Sequence, residues 1–348
     1  MRRPRPFSPR CRFWGPSAHN SQLVMSAEPY LLQLGDRLTA GLAMLDPQRR
    51  DRHRRFILSR QTSDGGFCGR EDPEELQDAA EDLPPQSDLY YSAFAVRGLA
   101  VLGVITPEDC RRVAGYLKSI DPFGGSVIDI VSWLYCALIV QATAGIDVLA
   151  EHDANWAQRL AEFLESFRTA DGGYAKGHEG AAGSTYHSFL IALCYELIGR
   201  NVPEPNRLIQ FVYDRQRDDG GFVEIAPMKR SGTNPTAAAV AILQMYDAFD
   251  DGLHEDVRAF LRQVRGDEGG FQANTRIPFS DTLSTFTGLL TCQDLGIEDL
   301  LKPHTVERFV GALEFPDGGF RGAGWDEQAD VEYTFYALGI LGLLGGSD

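Results

Sequence analysis

Asp171-Gly172-Gly173-Tyr174 is one of six glycine-pair turns along the chain. The pairs stand at Gly65-Gly66, Gly124-Gly125, Gly172-Gly173, Gly220-Gly221, Gly269-Gly270 and Gly318-Gly319. After a first interval of 59 residues, the spacing is 48, 48, 49 and 49 residues. An aromatic residue follows five of the six pairs, and an aspartate precedes four. Because a period of this size is typical of repeat proteins, the sequence predicts six copies of one structural unit.

Each copy pairs a half-polar helix with an apolar helix. The first segment, for example 154–168 or 254–265, spaces its apolar residues at i, i+3 and i+4. We expect the Asp-Gly-Gly turn to end this helix, since glycine adopts the left-handed conformation at little cost. The second segments are apolar nearly all round, which predicts helices buried on every side. They span 88–103, 128–144, 184–199, 234–249, 281–295 and 331–345.

The alternation predicts two layers, and the last helix predicts that the layers close. An open solenoid needs polar capping repeats, whereas residues 336–344 read Tyr-Ala-Leu-Gly-Ile-Leu-Gly-Leu-Leu near the C-terminus. Packing this helix against the opening helix at 30–45, or against the first repeat, would close the circle. The predicted fold is therefore all-α, an α/α toroid (six-hairpin α-α barrel) with a central apolar cavity. We expect one domain over residues 29–348.

Composition excludes several classes of function. The net charge of −16 and the pI near 4.9 argue against a nucleic-acid partner. No apolar run approaches the ~18 residues of a membrane span, so we do not expect a membrane-spanning protein. The cysteines are scattered without a CxxC pair, which favours a reducing, cytoplasmic location. They are Cys11, Cys68, Cys110, Cys136, Cys194 and Cys292.

Two segments stand outside the repeats. Residues 1–28 are rich in arginine and proline and are predicted to form a disordered basic tail, with Met1 and Met25 as alternative starts. The long first interval contains an acidic insertion from Glu71 to Asp82, to which the sequence assigns no role.

The starts of the six inner helices are predicted to surround one mouth. Parallel helix N-termini favour anions, although capping by itself explains most of the Asp, Ser and Thr residues found there. Lys229, Arg230 and Arg276 precede inner-helix starts in consecutive repeats, and we predict that they bind a diphosphate. The alternative interpretation of these three residues is a solvated surface.

Aromatic residues cluster just inside the same helix starts. Some belong to the ordinary core at this spacing, but an aromatic-lined hollow also fits a long hydrocarbon ligand. The predicted lining residues are Tyr90, Tyr91, Trp133, Tyr135, Tyr186, Phe189, Phe286, Tyr333, Phe335 and Tyr336.

With these turns, residues 45–346 resemble the prenyltransferase and squalene-cyclase superfamily. The likeness is particularly to the β subunit of protein prenyltransferases of the Rab geranylgeranyl type. Asp171-Gly172-Gly173-Tyr174 through Tyr186, and Asp330 through Leu344, resemble family repeats. The resemblance implies an isoprenoid diphosphate in the cavity, its transfer to a zinc-held cysteine of a protein acceptor, and a helical α-type partner subunit.

The chain departs from the family at the zinc site. The family's ligand positions fall on Ser280, Thr282 and Tyr333, and these side chains will not hold Zn²⁺ in the family's manner. The family's zinc is therefore not expected, no metal ligand is predicted, and Mg²⁺ is expected only together with a diphosphate.

Three functions remain open. The first is an isoprenoid-diphosphate enzyme of the prenyltransferase type, for a farnesyl or geranylgeranyl chain, without the usual zinc. The second is a terpene cyclase of the class II kind. In that branch the Asp-x-Asp-Asp run supplies the acid, and only its last aspartate survives here, as Asp281. The third is a toroid that binds an isoprenoid or another long apolar ligand without catalysis.

Overall fold

The computed structural model describes residues 28–70, 86–152 and 155–346. Within these ranges there are fourteen α-helices, two short 3₁₀ turns and only isolated β-bridges. The predicted tail up to residue 27 and the acidic insertion Glu71–Asp82 lie outside the described residues.

Twelve of the helices form two layers of six, and two further helices lie outside this pattern. The outer helices are α2 (Pro47–Ser59), α4 (Pro107–Lys118), α7 (Trp156–Glu165), α9 (Pro205–Tyr213), α11 (Asp251–Gln263) and α13 (Pro303–Gly311). The inner helices are α3 (Leu89–Val101), α5 (Val127–Ala144), α8 (Thr185–Leu197), α10 (Thr233–Met245), α12 (Thr282–Asp294) and α14 (Val331–Gly345). The helix α1 (Tyr30–Gly41) precedes the first pair, and the short α6 (Val148–His152) lies between α5 and α7.

The pattern of apolar residues explains which helix lies in which layer. The outer helix α11 buries Leu253, Val257, Phe260 and Leu261, which recur on one face, and leaves its charged side chains in water. The inner helix α10 buries eight of its thirteen residues, because it has neighbours on most of its circumference. The predicted inner helices are confirmed to within a few residues at each end.

The inner ring is closed. Along the ring, α3 packs against α5, α5 against α8, α8 against α10, α10 against α12, α12 against α14, and α14 against α3. The last helix also packs against α1, where Gly41 and Gly342 bring the two backbones together. A Cβ at Gly41 would lie only 1.7 Å from the Gly342 carbonyl oxygen. Both closing contacts that the sequence predicted are thus present.

Five of the six glycine turns join neighbouring repeats, the exception being Gly124-Gly125, and the turns do not end the outer helices. Helix α7 already ends at Glu165, so the expectation that Asp171-Gly172-Gly173 terminates it was wrong. Gly172 has φ 93° and lies against the next outer helix, where an added Cβ would be 2.6 Å from the Arg207 carbonyl oxygen. In the sixth turn, Gly318 meets the Arg52 carbonyl of α2 in the same way, which joins the last repeat to the first.

The second glycine of a turn explains the aromatic residue found nine positions before the next pair. A Cβ on Gly173 would lie 2.3 Å from the ring of Phe211, which belongs to the following outer helix. The aromatic ring therefore packs flat over a position that only glycine can occupy.

A buried hydrogen bond recurs between each aromatic turn and its inner helix. The backbone N–H of Tyr174 donates to Ser188 Oγ at 2.9 Å, and that of Phe320 donates to Thr334 Oγ1 at 3.0 Å. The same bond joins Phe67 to Ser92, Phe222 to Thr236 and Phe271 to Thr285. These bonds satisfy buried donors and fix the angle between turn and helix.

One inner helix, α5, corrects an expectation about apolar length. Its 18 residues, Val127–Ala144, are long and apolar enough to cross a membrane by length and composition, so the prediction that the sequence contains no such run was wrong. The helix is packed against α3, α4 and α8, which accounts for its apolar circumference.

Candidate functional site

The inner ring surrounds a central cavity of about 1250 Å³. All six inner helices contribute side chains to its wall, which is mostly apolar, and a 13-residue helix such as α3 is about 20 Å long. This volume exceeds the ~300–1,000 Å³ of ordinary small-molecule pockets. The space suits a long ligand that lies parallel to the helices.

Most of the predicted aromatic residues line this cavity. They are Tyr90, Tyr135, Tyr186, Phe189, Phe286, Phe335 and Tyr336. The rings of Tyr90, Phe286, Phe335 and Tyr336 cluster at the junction of α3, α12 and α14, where Phe94 adds an edge contact to Tyr336 with 5.3 Å between ring centroids. This side of the cavity is therefore an aromatic wall.

Three predicted lining residues lie elsewhere, because the helical turn rotates them away from the cavity. Tyr91 packs beside Gly69, and Tyr333 packs beside Gly322. Trp133 points outward, where its Nε1–H donates to the Leu117 carbonyl of α4 at 3.0 Å. On α14, for example, residues 332, 335 and 336 face inward, so residue 333 cannot.

The opposite side of the cavity is wide because α10 presents alanines. Ala237, Ala238 and Ala241 line the space together with Val240. Alanine fills little volume and leaves space beside this helix, and we refer to these four residues as the alanine wall.

Arg230 and Arg276 lie at the mouth of the cavity, above the alanine wall. Both line the cavity and are exposed to solvent, and Arg230 donates a 2.8 Å hydrogen bond to Thr275 in the loop that carries Arg276. Lys229 is also exposed but is not among the lining residues. The structure thus brings together two of the three predicted basic residues.

The N-terminus of α10 lines the same cavity as these arginines and has no side-chain cap. Its N-cap residue is Gly232, which lines the cavity with Ser231 and Asn234. The inner helices α3, α5, α8, α12 and α14 are capped by the side chains of Asp88, Ser126, Ser184, Asp281 and Asp330. At this helix start the N–H groups of Gly232, Thr233 and Thr236 donate to backbone carbonyls, and Pro235 has none. Among the described residues the Asn234 N–H has no such acceptor, so it is the backbone donor that the helix start offers to an anion.

Asp281, the predicted acid, serves as the N-cap of α12. Its carboxylate accepts the Ser284 backbone N–H at 2.7 Å, and it is not among the residues that line the cavity. Burial raises the pKa of this carboxyl group, and hydrogen bonds from Ser284 and Leu283 oppose the shift. The geometry of Asp281 is that of a helix cap.

The positions of the family's zinc ligands are near one another but carry the wrong chemistry. Thr282 donates its backbone N–H to the Gly322 carbonyl at 2.9 Å, and the ring of Tyr333 packs on the same glycine. Ser280 and Thr282 are buried, and within the described part of the chain their hydroxyl oxygens have no hydrogen-bond partner. The described residues also contain no group of three His, Cys, Asp or Glu side chains with metal-binding geometry. These hydroxyl groups do not fit Zn²⁺, which prefers thiolate, imidazole and carboxylate ligands.

Two carboxylates that the sequence did not single out line the cavity. Glu332 of α14 accepts the hydroxyl of Tyr90 at 2.7 Å, and burial raises its pKa. Glu224, in the loop before α10, accepts the hydroxyl of Ser184, and burial raises its pKa as well. A charged residue among the apolar residues of an inner helix is the signal that identifies Glu332.

Arg97 is a third lining residue that the sequence did not single out. It lies in the middle of α3, the segment Leu-Tyr-Tyr-Ser-Ala-Phe-Ala-Val-Arg-Gly-Leu-Ala-Val, where it is the only charged residue. Its guanidinium carbon lies 4.3 Å from the ring centroid of Phe94, 4.7 Å from that of Phe335 and 5.1 Å from that of Tyr135. The guanidinium therefore packs against the aromatic wall.

Helix α1 lies across the far end of the cavity, where the inner helices end. Tyr30 donates its backbone N–H to Glu196 at 2.9 Å and its hydroxyl to Asp294 at 3.0 Å. Arg37 pairs with the other oxygen of Asp294 at 2.9 Å. Leu31, Leu34 and Leu38 of α1 appear among the lining residues. The sequence predicted this helix as a ring-closing contact and did not predict its position as a floor.

Comparison with known proteins identifies the family. The family profile of the prenyltransferase alpha-alpha toroid domain matches residues 25–223 and 187–348. The chain belongs to the prenyltransferase alpha-alpha toroid family. This agrees with the resemblance that the glycine turns carry. A search of curated proteins finds no match to this toroid.

Solved structures of similar fold include both branches of the superfamily. The toroid is similar to Candida albicans protein geranylgeranyltransferase-I complexed with GGPP, with a TM-score of 0.65 and 18% identity over 84% of this chain and 90% of that chain. It is also similar to the apo type II terpene cyclase MstE from Scytonema, with a TM-score of 0.56 and 16% identity over 91% and 98%. A protein from Actinoplanes gives a TM-score of 0.54 and 15% identity over 86% and 99%. At these identities the likeness shows the fold alone.

Proposed function

We propose that this toroid binds an isoprenoid diphosphate of the farnesyl or geranylgeranyl class in its central cavity. The hydrocarbon chain lies along the alanine wall and reaches toward α1. The diphosphate lies at the mouth, against Arg230, Arg276 and the start of α10. The observation that carries the proposal is that these two arginines line the mouth of the same cavity, beside Gly232 and Asn234 at the start of α10.

The head group is supported by charge and by hydrogen-bond geometry. The chain as a whole carries a net charge of −16, so two exposed arginines at an apolar mouth are a local exception to the overall field. A guanidinium offers two parallel donors to a phosphate, and the Asn234 N–H at the start of α10 adds one backbone donor. Any Mg²⁺ is expected to arrive with the diphosphate, because Mg²⁺ is commonly held through substrate phosphates.

The shape of the cavity supports binding of the ligand's hydrocarbon chain. Below Arg230, the wall consists of Ala237, Ala238, Val240 and Ala241, with Leu283 and Leu290 of α12 beside them. Burial of apolar surface favours association by roughly 25 cal/mol per Å². A farnesyl or geranylgeranyl chain buried in the cavity would therefore supply most of the affinity. The Candida albicans protein geranylgeranyltransferase-I, which has a similar fold, is complexed with GGPP, and this agrees with a ligand of this class.

Transfer of the prenyl group is the finer part of the proposal. The diphosphate would leave from the mouth, where Arg230 and Arg276 stabilise its negative charge. Because Ser280, Thr282 and Tyr333 do not fit the family's zinc, no step is assigned to that metal. The acceptor and a helical α-type subunit stay predictions from the family resemblance.

Calorimetric titration with farnesyl and geranylgeranyl diphosphate tests the proposal. The expected result is saturable binding that Arg230→Ala or Arg276→Ala weakens about 10- to 100-fold each, as for the loss of one charged hydrogen bond. Lys229→Ala is the matched control, since Lys229 is adjacent in sequence and equally basic but lies outside the cavity lining. Unchanged affinity in the Arg230→Ala and Arg276→Ala variants, or absence of binding in the wild type, would contradict the proposal.

A terpene cyclase is the second candidate, and Glu332 is the observation that favours it. Protonation of an alkene requires a carboxylic acid that faces the cavity, and Glu332 does so while Asp281 does not. Incubation with polyprenyl substrates, followed by product analysis, tests this function. Loss of cyclic product in Glu332→Gln, with product retained in Asp281→Asn, would support the cyclase. No cyclic product from the wild type would exclude it for the substrates used.

A further inference from the structure

We infer that Arg97 forms a second anion subsite, at mid-depth in the cavity, which selects a ligand carrying a carboxylate at that level over a ligand that is hydrocarbon throughout. The inference rests on the proposed function, because it names a further group that the same cavity recognises. It concerns a place in the cavity separate from the diphosphate site at the mouth.

The two sites differ in depth and in position around the ring. Arg97 follows Tyr90, which lies at the helix start, by seven residues, so it is about 10 Å further from the mouth. In the order of the inner helices, α3 stands three places from α10 on either side, which puts Arg97 across the cavity from the alanine wall. A diphosphate held by Arg230 and Arg276 therefore does not occupy the Arg97 subsite.

The hydrogen bonds of Arg97 leave its outer nitrogens available. Its Nε donates to the Ala93 carbonyl of its own helix at 3.1 Å, which fixes the orientation of the side chain. The rings of Phe94, Tyr135 and Phe335 pack around the guanidinium. Among the described residues, no carboxylate forms an ion pair with Arg97, and its two terminal nitrogens make no hydrogen bond within that part of the chain.

Glu332, an acid of the cavity wall whose charge interacts with that of Arg97, does not form an ion pair with it. Glu332 accepts the hydroxyl of Tyr90 at 2.7 Å, and burial raises its pKa, which favours its neutral form. Arg97 acts on Glu332 only as a weaker electrostatic influence that lowers this pKa. In the described part of the chain, the guanidinium thus has no carboxylate paired with it.

Filling the cavity changes the cost of that charge. In the empty cavity, water can solvate the terminal nitrogens. A hydrocarbon chain packed against them would remove the water and leave charged donors without acceptors, which is unfavourable. A carboxylate at the same place accepts two parallel hydrogen bonds and neutralises the charge in a medium of low polarity. The cavity therefore discriminates by head-group chemistry at mid-depth as well as by length.

The same charge bears on the cyclase alternative. A carbocation formed beside the aromatic wall would meet a guanidinium that already covers the faces of Phe94 and Phe335. Like charges repel, and the rings that would stabilise the carbocation are occupied. Arg97 therefore favours an anionic ligand over cationic chemistry on this side of the cavity.

The experiment compares two ligands that differ only in the head group, farnesoic acid and farnesol, by calorimetric titration at neutral pH. The wild type is expected to bind the acid about tenfold more tightly or better. In Arg97→Met this preference is expected to fall to about one, while farnesol binds more tightly than to the wild type. Arg97→Lys, which keeps the charge but loses the planar fork, is expected to retain part of the preference and serves if the methionine variant does not fold.

The double variant Arg230→Met/Arg276→Met is the matched control. It is expected to keep the preference for the acid while losing affinity for farnesyl diphosphate. Equal binding of acid and alcohol by the wild type would overturn the Arg97 subsite, as would a preference that disappears in the mouth variant and persists in Arg97→Met. If farnesyl diphosphate binds through Arg230 and Arg276 but the acid shows no preference, only the Arg97 inference fails. If no isoprenoid binds at all, the proposed function fails with it.

Discussion

Tyr90 donates a 2.7 Å hydrogen bond to Glu332 across 242 residues of sequence, and this bond joins the first inner helix to the last. The two residues lie at the starts of α3 and α14, at the place where the ring closes. Burial raises the pKa of both side chains, so the bond lies in a poorly solvated region. Ring closure and the polar part of the cavity wall thus depend on the same pair.

The pair predicts how stability depends on pH. Because the pKa of Glu332 is higher in the folded than in the unfolded chain, its contribution to stability is complete below the unfolded value of about 4.3 and is lost as the pH rises through the folded value. Glu332→Gln should therefore be more stable than the wild type at pH 7, with an unfolding free energy higher by about 1 kcal/mol for each pH unit by which the pKa is raised. The two unfolding temperatures should converge near pH 4. Thermal unfolding across this range measures the effect. Glu327→Gln, at an exposed position in the preceding loop, is the control and should change little.

The contact of α1 with α14 predicts a sharp difference between two glycines of one helix. Gly41→Ala places a methyl group 1.7 Å from the Gly342 carbonyl oxygen, and should cost about 1–3 kcal/mol or displace α1. At Gly35 an added Cβ meets nothing within 4 Å, so Gly35→Ala should be neutral or stabilise the helix by up to about 1 kcal/mol. Thermal unfolding, with amide exchange over residues 30–41, compares them. Equal effects of the two variants would be inconsistent with this packing.

The recurrent hydrogen bond predicts the effect of removing one buried hydroxyl. Thr334→Val keeps the shape of the side chain but leaves the N–H of Phe320 without an acceptor, which should cost about 1–3 kcal/mol of unfolding free energy. Thr39→Val, in which the hydroxyl lost is on an exposed residue, should be close to neutral. Denaturant unfolding measures both, and a Thr334→Val variant as stable as the wild type would argue against the bond.

His187 predicts a second dependence on pH, of opposite sign. Burial, and to a smaller extent the charge of Lys176, lower the pKa of His187 to about 4. Its neutral ring therefore contributes stability that is complete above the unfolded value of about 6.5 and is lost as the pH falls toward 4. Titration by NMR should show no protonation of His187 between pH 8 and 5. Lys176→Gln should raise the pKa, and a value near 6.5 in the wild type would contradict the buried environment.

The fold followed from the sequence because its signals are repeated. The pair Gly172-Gly173 carries little information alone, but six such turns at nearly constant spacing identify the unit, and the apolar circumference of α14 indicates that the ring closes. The exact end of α7 did not follow, since Gly172 is required by contact with the next repeat at Arg207 and not by helix termination. Contacts between repeats are invisible to local conformational rules.

The cavity followed only in part. Aromatic residues at helix starts indicated the wall of the cavity. Successive side chains of a helix differ in direction by about 100°, so an error of one residue predicted Tyr333 as a lining residue where Glu332 faces the cavity. Arg97 was not predicted as a lining residue, because one charged residue does not change the apolar character of the segment that forms α3. The position of α1 across the far end depends on Tyr30, Arg37 and Asp294. Asp294 lies more than 250 residues from the other two, and the three share no sequence motif.

A crystal structure of the protein with geranylgeranyl diphosphate tests the central claim most directly. The expected density places the phosphates within hydrogen-bond distance of Arg230 and Arg276 and runs the chain along Ala237 and Ala241 toward α1. Density for the phosphates elsewhere, or a chain bound outside the ring while the cavity stays empty, would contradict it.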